Sequence, residues 1–114
     1  MSRRRTERSL AAAALLFAAL GDPTRLTLLR RLSDGGPASI STLAATFPEM
    51  SRQGVTKHLQ VLAAAGVING SRRGREHVWT VDARGLAEGR RCLELVARGW
   101  DDALARLKRH VEGA

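Results

Sequence analysis

Apolar positions recur at helical spacing along this 114-residue chain and predict five helices. The first spans about residues 6–20, and the second opens at Asp22, an N-cap followed by a first-turn proline. The breaker-rich segment 33–37 ends the second helix. Ser39 or Ser41 then caps a short third helix.

The fourth helix is predicted from apolar residues at helical spacing, and the segment after it from short runs typical of β-strands. Between residues 51 and 66, apolar side chains recur at i, i+4 and i+7, so one helix face is buried. Residues 67–68 and 78–81 are β-type runs, and the glycine-bearing, basic segment 69–76 between them predicts a hairpin. The pattern therefore indicates a fold that is mainly α with one small β-hairpin.

The last helix is predicted from an Asp82 N-cap to about Val111. After Leu86 its apolar residues follow at steps of 7, 3, 4, 4, 3 and 4 residues, close to a coiled-coil seam. The core of so short and Ala-rich a chain is small, and burying further surface in a dimer would enlarge it. The seam is therefore a candidate contact between two copies.

The N-terminal stretch has two interpretations. A basic start followed by the apolar run 10–20 is typical of a secretory or twin-arginine signal, although eleven apolar residues are too few to span a bilayer. The run is mostly Ala, and no convincing cleavage site follows it, which favours a helix of a cytoplasmic protein. We expect residues 1–5 to form a disordered basic arm and residues 6–114 to form one domain.

The net charge of the chain indicates which kinds of partner it binds. The chain has 19 Lys+Arg and 11 Asp+Glu, a net charge of +8, which points to nucleic acid or, less readily, to an anionic membrane surface. Half of this excess falls in residues 51–81, which contain five cationic residues and one acidic residue. The single cysteine, Cys92, excludes a disulfide framework and a cysteine-based zinc site. It is either a small buried hydrophobe or a redox group that pairs across a dimer axis.

A short helix, a turn, a polar helix and a basic hairpin, in that order, predict a winged helix-turn-helix with five helices plus a wing. The fourth helix carries donors and acceptors suited to base edges in the major groove, near its N-terminus. The wing carries arginines that can reach the sugar-phosphate backbone of DNA or an adjacent groove. The candidate DNA-binding residues are Ser51, Arg52, Gln53, Thr56, Lys57, His58, Arg72, Arg73 and Arg75. His58 is the ambiguous one, because packing beside the apolar face is equally compatible with its position.

Two long motifs add a resemblance to a family. Residues 16–26 (LFAALGDPTRL) resemble the opening motif of ArsR-type winged-helix repressors. Residues 51–62 (SRQGVTKHLQVL) and 65–68 (AGVI) resemble that family's recognition helix and wing entry, and 72–76 (RRGRE) its wing. The resemblance covers roughly residues 10–112 and implies a homodimer that blocks transcription from an imperfect palindrome. It also implies a dimer interface on the first and last helices, at Leu15, Phe17, Leu93, Val96, Trp100, Leu104 and Leu107.

The family's metal sites do not carry over to this chain. Its metal-sensing members place Cys-x-Cys in the third helix, where residues 41–47 here hold no ligand. The last helix offers two aspartates, His110 and Glu112 at spacings that make a zinc site improbable. We therefore expect no metal and no cofactor, a member of a metal-independent branch, and an inducer that the sequence does not identify.

Three other functional classes were weighed against the same residues. The three histidines are scattered and no nucleophile–base order is present, so we expect no enzyme. An architectural, weakly specific DNA-binding protein would use the same charges. A winged helix that binds an acidic protein would not need Gln53 and Thr56.

Overall fold

The computed structural model describes the backbone of residues 3–113 and the side chains from Leu10 onward to residue 113. Five helices and three strands follow one another. Their bounds are α1 (Arg3–Leu20), α2 (Pro23–Gly35), β1 (Ala38–Ser39), α3 (Ile40–Ala45), α4 (Arg52–Ala64), β2 (Ile68–Arg73), β3 (Glu76–Val81) and α5 (Ala83–Glu112). The predicted fold class, a mainly helical winged helix-turn-helix with five helices and a small hairpin, is confirmed.

Capping residues set where the helices begin. The Asp22 carboxylate accepts a hydrogen bond from the Arg25 backbone N–H at 3.0 Å and opens α2. Ser39, rather than Ser41, caps α3. Ser51 and Asp82 cap α4 and α5 in the same way, as the sequence predicts.

The N-terminal helix starts earlier than the sequence predicts. It begins at Arg3 instead of residue 6, so it includes three residues of the predicted basic arm, 1–5. The first two residues of that arm lie outside the described residues.

The wing is paired almost to its tip. Its strands leave only Gly74 and Arg75 unpaired, so the predicted hairpin at 69–76 has its glycine-bearing tip at these two residues. Gly74 has φ +65°, whereas Arg75, like every other described residue that is not glycine, has no positive φ. A positive φ at the first turn position alone is the sign pattern of a type II′ turn. A glycine at the first turn position lets the register continue to Arg73 opposite Glu76.

Strand β1 was not predicted from the sequence. Ala38 pairs with Trp79 and Ser39 with Val78, both antiparallel, so the sheet order is β1-β3-β2. Two residues are too few to show a period of their own. The pairing places β3 at the centre of the sheet, between β2 of the wing and β1, which leads into α3.

One core lies between α2, α3, α4 and the base of the sheet. Its most buried side chains, each less than 2% exposed, are Leu28, Leu32, Leu43, Val55, Leu59, Leu62, Val67 and Ile68. Leu16 of α1 and Trp79 of β3 join the same cluster. Because Val55, Leu59 and Leu62 all lie on one side of α4, its opposite side faces solvent.

Helix α5 leaves this core after about three turns. Gly89 is buried, and Leu16 lies so close that a Cβ there would be 2.7 Å from Leu16 Cδ2. From Leu93 to residue 113 every residue is exposed. The helix is 30 residues long, roughly 45 Å at 1.5 Å per residue, in a molecule whose longest dimension is 65 Å.

Within the described residues, no single helix has the length and apolar content needed to cross a membrane. Residues 10–20 and 23–35 meet that requirement only as a pair bent by 96°.

Candidate nucleic-acid interface

The polar side of α4 forms one continuous surface. Arg52, Gln53, Lys57 and Gln60 are exposed and Thr56 is half-buried; together these five line a shallow depression. Gln60 was not among the predicted contacts, although it lies one turn beyond Thr56 on the same face. This surface presents guanidinium, ammonium, amide and hydroxyl groups and no carboxylate, so it suits the base edges and phosphates of DNA.

The N-terminus of α4 adds backbone donors at one end of this surface. The Ser51 hydroxyl oxygen accepts from the Gly54 backbone N–H at 3.0 Å, which leaves the hydroxyl hydrogen for another acceptor. A Cβ at Gly54 would lie 3.1 Å from Met50 Cγ and 3.2 Å from Ser51 Oγ, so glycine keeps this cap compact. Helix N-termini of this kind bind phosphate groups.

Thr56 has part of its hydrogen-bonding capacity committed within the helix. Its hydroxyl donates to the Arg52 carbonyl oxygen at 2.9 Å. The oxygen can still accept a hydrogen bond, and the side chain also carries an apolar methyl group. Thr56 is therefore suited to an apolar contact or to accepting one hydrogen bond.

His58 is set apart from the other predicted contacts. Its Nδ1 lies 3.2 Å from Nη1 of Arg25 and 3.9 Å from Oδ2 of Asp22, at the turn between α1 and α2. Its side chain is 24% exposed. The structure thus directs this nitrogen toward the neighbouring helices, while the residues on the polar side of α4 face solvent.

The wing presents its three arginines at the far end of the hairpin. Arg72, Arg73 and Arg75 are all exposed, and Arg73 lies opposite Glu76. In the antiparallel register Arg72 shares a face with His77, its partner across the hairpin. The hairpin therefore presents positive charge at its exposed tip.

A stacked aromatic pair stiffens the base of the wing. The rings of His77 and Trp79 lie 4.5 Å apart, inclined by 22°. Gly70 is opposite Trp79, and a Cβ there would come within 2.5 Å of His77 Nε2 and 2.8 Å of the indole ring. Only glycine leaves room for the stack at this position.

The base of the wing is also tied to α5. The Asp82 backbone N–H donates to the Val67 carbonyl oxygen at 2.9 Å, and Asn69 Nδ2 donates to Asp82 Oδ2 at 3.1 Å. The hydrogen bond from the Gly85 backbone N–H, followed by that from Asn69, holds the pKa of Asp82 below its ordinary value. This carboxylate therefore stabilises the fold at neutral pH, and that stabilisation is lost in acid as the pH falls through the lowered pKa.

A second surface, the α5 stripe, is apolar and has no partner within the chain. Trp100 is 70% exposed, although it is the largest side chain of the helix. The other predicted interface residues on α5 and α1 are also exposed: Leu93, Val96, Leu104, Leu107, Leu15 and Phe17. Exposed apolar patches of this extent mark sites of association.

Among the side chains that the structure describes, no group of three or more His, Cys, Asp or Glu is arranged to hold a metal ion. Cys92 is half-buried where α5 leaves the core, just before the exposed part of the helix begins.

Comparisons with known proteins agree with this geometry. Residues 20–70 match a helix-turn-helix domain family. The HTH-type transcriptional regulator Rv2034 of Mycobacterium tuberculosis is 37% identical over 86 residues, which cover 75% of this chain and 76% of that protein.

Solved structures show the same similarity. An ArsR-like transcriptional regulator from Rhodococcus sp. RHA1 is 37% identical with a TM-score of 0.71, covering 88% of this chain and 92% of that one. A homodimeric winged helix-turn-helix DNA-binding domain from Mycobacterium bovis has the same fold at 22% identity, with a TM-score of 0.67 over 86% of this chain and 88% of that one. The chain therefore belongs to the ArsR-like family of winged helix-turn-helix transcriptional regulators.

Proposed function

We propose that this regulator is a dimeric repressor that binds a palindromic operator through α4 and the wing. The observation that carries the proposal is the carboxylate-free polar side of α4, which faces solvent beside a basic wing. Binding to a promoter would exclude the transcription machinery. Such a role places the protein with the chromosome, in the cytoplasm.

The α5 stripe supports the dimer. An apolar seam with heptad-like spacing is self-complementary when two copies meet about a two-fold axis. α1 contributes Leu15 and Phe17, which are exposed on the side that does not pack on the core. The Mycobacterium bovis domain that shares this fold is homodimeric, which supports a dimer here. Two copies would present two α4 helices to half-sites one DNA turn apart, about 34 Å.

We infer a division of labour between the two DNA-facing parts. Arg52, Gln53, Thr56 and Lys57 are close enough to the N-terminus of α4 to reach base edges. The wing arginines and the Ser51 cap suit phosphate contacts, which position the protein without reading sequence.

Gln53→Ala and Arg73→Ala should therefore weaken binding in different ways. Loss of the Gln53 amide should cost about 1–3 kcal/mol on the operator and relax its sequence preference. Loss of the Arg73 charge should weaken all sequences alike and reduce the salt slope by about one unit. Both follow from fluorescence-anisotropy titrations of operator and random duplexes over a salt series. A change of base preference in Arg73→Ala alone would contradict this division.

The proposal as a whole is tested by selecting binding sites from random duplex DNA. A specific repressor should enrich a palindrome and bind it at least about 10³-fold more tightly than random DNA at physiological salt. A ratio near one would instead identify an architectural DNA-binding protein that uses the same charges.

A further inference from the structure

A polar cluster joins three helices on the side of α4 that faces the protein. Arg25 donates from Nη2 to the Ala18 carbonyl oxygen at 3.3 Å and from Nε to the Ala19 carbonyl oxygen, both at the end of α1. Its Nη1 lies 3.2 Å from His58 Nδ1 on α4. Arg25, in the first turn of α2, therefore connects the end of α1 to the middle of α4.

The chemistry of this contact fixes the protonation of His58. A guanidinium carries only donors, so Nδ1 of His58 must be the acceptor and carry no proton. A neutral ring then has its hydrogen on Nε2. Protonation of Nδ1 would remove the acceptor and place a second cation beside Arg25.

Asp22 gives the protonated ring an alternative partner. Its Oδ2 lies 3.9 Å from His58 Nδ1 and already accepts from the Arg25 backbone N–H. That backbone hydrogen bond is the main cause that lowers the pKa of Asp22; the charge of Arg25 lowers it further, as would a positive charge on His58. A charged His58 would thus exchange a hydrogen bond from Arg25 for an ion pair with Asp22, while the α1 carbonyls still hold Arg25.

Resting on the proposed function, we propose that His58 is a positioning residue whose neutral ring locks α4 to the end of α1, and that its protonation weakens operator binding. The locked pair consists of the helix that faces DNA and a helix of the dimer interface. The link therefore sets the orientation of α4 relative to the two-fold axis, on which simultaneous binding to two half-sites depends.

Among the described residues, the hydrogen bonds and salt bridges of His58 involve no other charged side chain. On the rest of α2, Arg30 pairs with Asp34, and Arg31 lies beside Gly35 at the C-terminal end of the helix. Residues 10–20 of α1 and the whole of α3 contain no ionisable side chain. Arg72 and Arg73 of β2 are at the far end of the wing, and Arg52 and Lys57 of α4 are exposed on the DNA-facing side. The two charged groups in contact with His58 are Arg25 and Asp22.

Titration of operator and random DNA between pH 8 and pH 5.5 tests the proposal, since histidine changes charge in this range. The wild-type protein should lose about tenfold in operator affinity per subunit once nine-tenths of the His58 rings are protonated, because only the unprotonated fraction is competent. His58→Asn keeps an acceptor near the Nδ1 position and takes up no proton. It should match the wild type at pH 8 and show no such loss. His58→Leu, which lacks the acceptor, should be weak at both pH values.

His110→Asn, at the exposed end of α5, serves as the matched control and should keep the wild-type loss. A parallel gain in affinity for operator and random DNA in acid, abolished in His58→Asn, would instead make His58 a phosphate contact and overturn the proposal. Retention of the full loss in His58→Asn would overturn it as well.

Nitrogen-15 NMR of the free protein separates this proposal from the proposed function. At pH 8 the His58 ring should be the Nε2–H tautomer, and protonation of the ring in acid should shift the amide resonances at the end of α1 and in the middle of α4. A proton on Nδ1 would refute the link even in a protein that selects its operator. If the Nε2–H tautomer is present but the wild-type protein does not select an operator at pH 8, only the proposed function is refuted.

Discussion

Replacing Trp100 with alanine is expected to dissociate the dimer. The indole is 70% exposed in the single chain and lies at the middle of the α5 stripe, where a large aromatic side chain acts as an interface hot spot. At about 2 kcal/mol for each of two copies, the dimer dissociation constant should rise roughly a thousandfold. Operator affinity should fall with it, because two half-sites must be bound together. Sedimentation velocity and operator titration measure the two effects.

Leu95→Ala is the matched control for this change. Leu95 is 60% exposed on the same helix, but it lies about 200° around the axis from Leu93, away from the stripe. Its loss should leave the dimer intact. If Trp100→Ala still sediments as a normal dimer, the interface is elsewhere on the molecule.

Replacing Gly85 with alanine is expected to destabilise the fold by about 3 kcal/mol or more, at the upper end of overpacking effects. A Cβ at Gly85 would lie within bonding distance of the Gly66 carbonyl oxygen and 2.6 Å from its carbonyl carbon. Both contacts are with backbone, so the first turn of α5 must move away from the end of α4. Urea denaturation with detection by circular dichroism measures the loss.

Gly99→Ala provides the opposite result in the same helix. Nothing lies within 4 Å of a Cβ at Gly99, so alanine meets no obstacle there. It should stabilise the protein by about 0.5–1 kcal/mol, because glycine loses more backbone entropy than alanine on entering a helix. Equal effects at positions 85 and 99 would show that the close contact with Gly66 does not constrain α5.

The polar side of α4 illustrates what could be predicted from local sequence. Apolar residues at i, i+4 and i+7 bury one side, and the remaining positions must then face solvent. Ser51, Arg52, Gln53 and Lys57 follow directly from this rule, and so does Gln60, although it was left out of the predicted contacts. The wing arginines are predicted equally well, because a short basic hairpin cannot bury them.

His58 shows where such prediction fails. It borders the buried side of α4, and helical spacing is compatible with either a DNA contact or packing. Its partner Arg25 is 33 residues away in the chain. Nothing in the local pattern around either residue indicates that they meet, because the meeting depends on how α1, α2 and α4 cross.

The sequence by itself determined the helices, their caps, the hairpin, and the separation of a basic DNA-facing segment from an apolar seam. These features depend on interactions between residues close in the chain, whose spacing is visible in the sequence. Only the tertiary structure decided the pairing of β1 with β3, the contact between Gly85 and Gly66, the stack of His77 on Trp79 beside Gly70, and the cluster around Arg25. Each of these depends on distances between separate elements, which the packing of the core sets and no local period encodes.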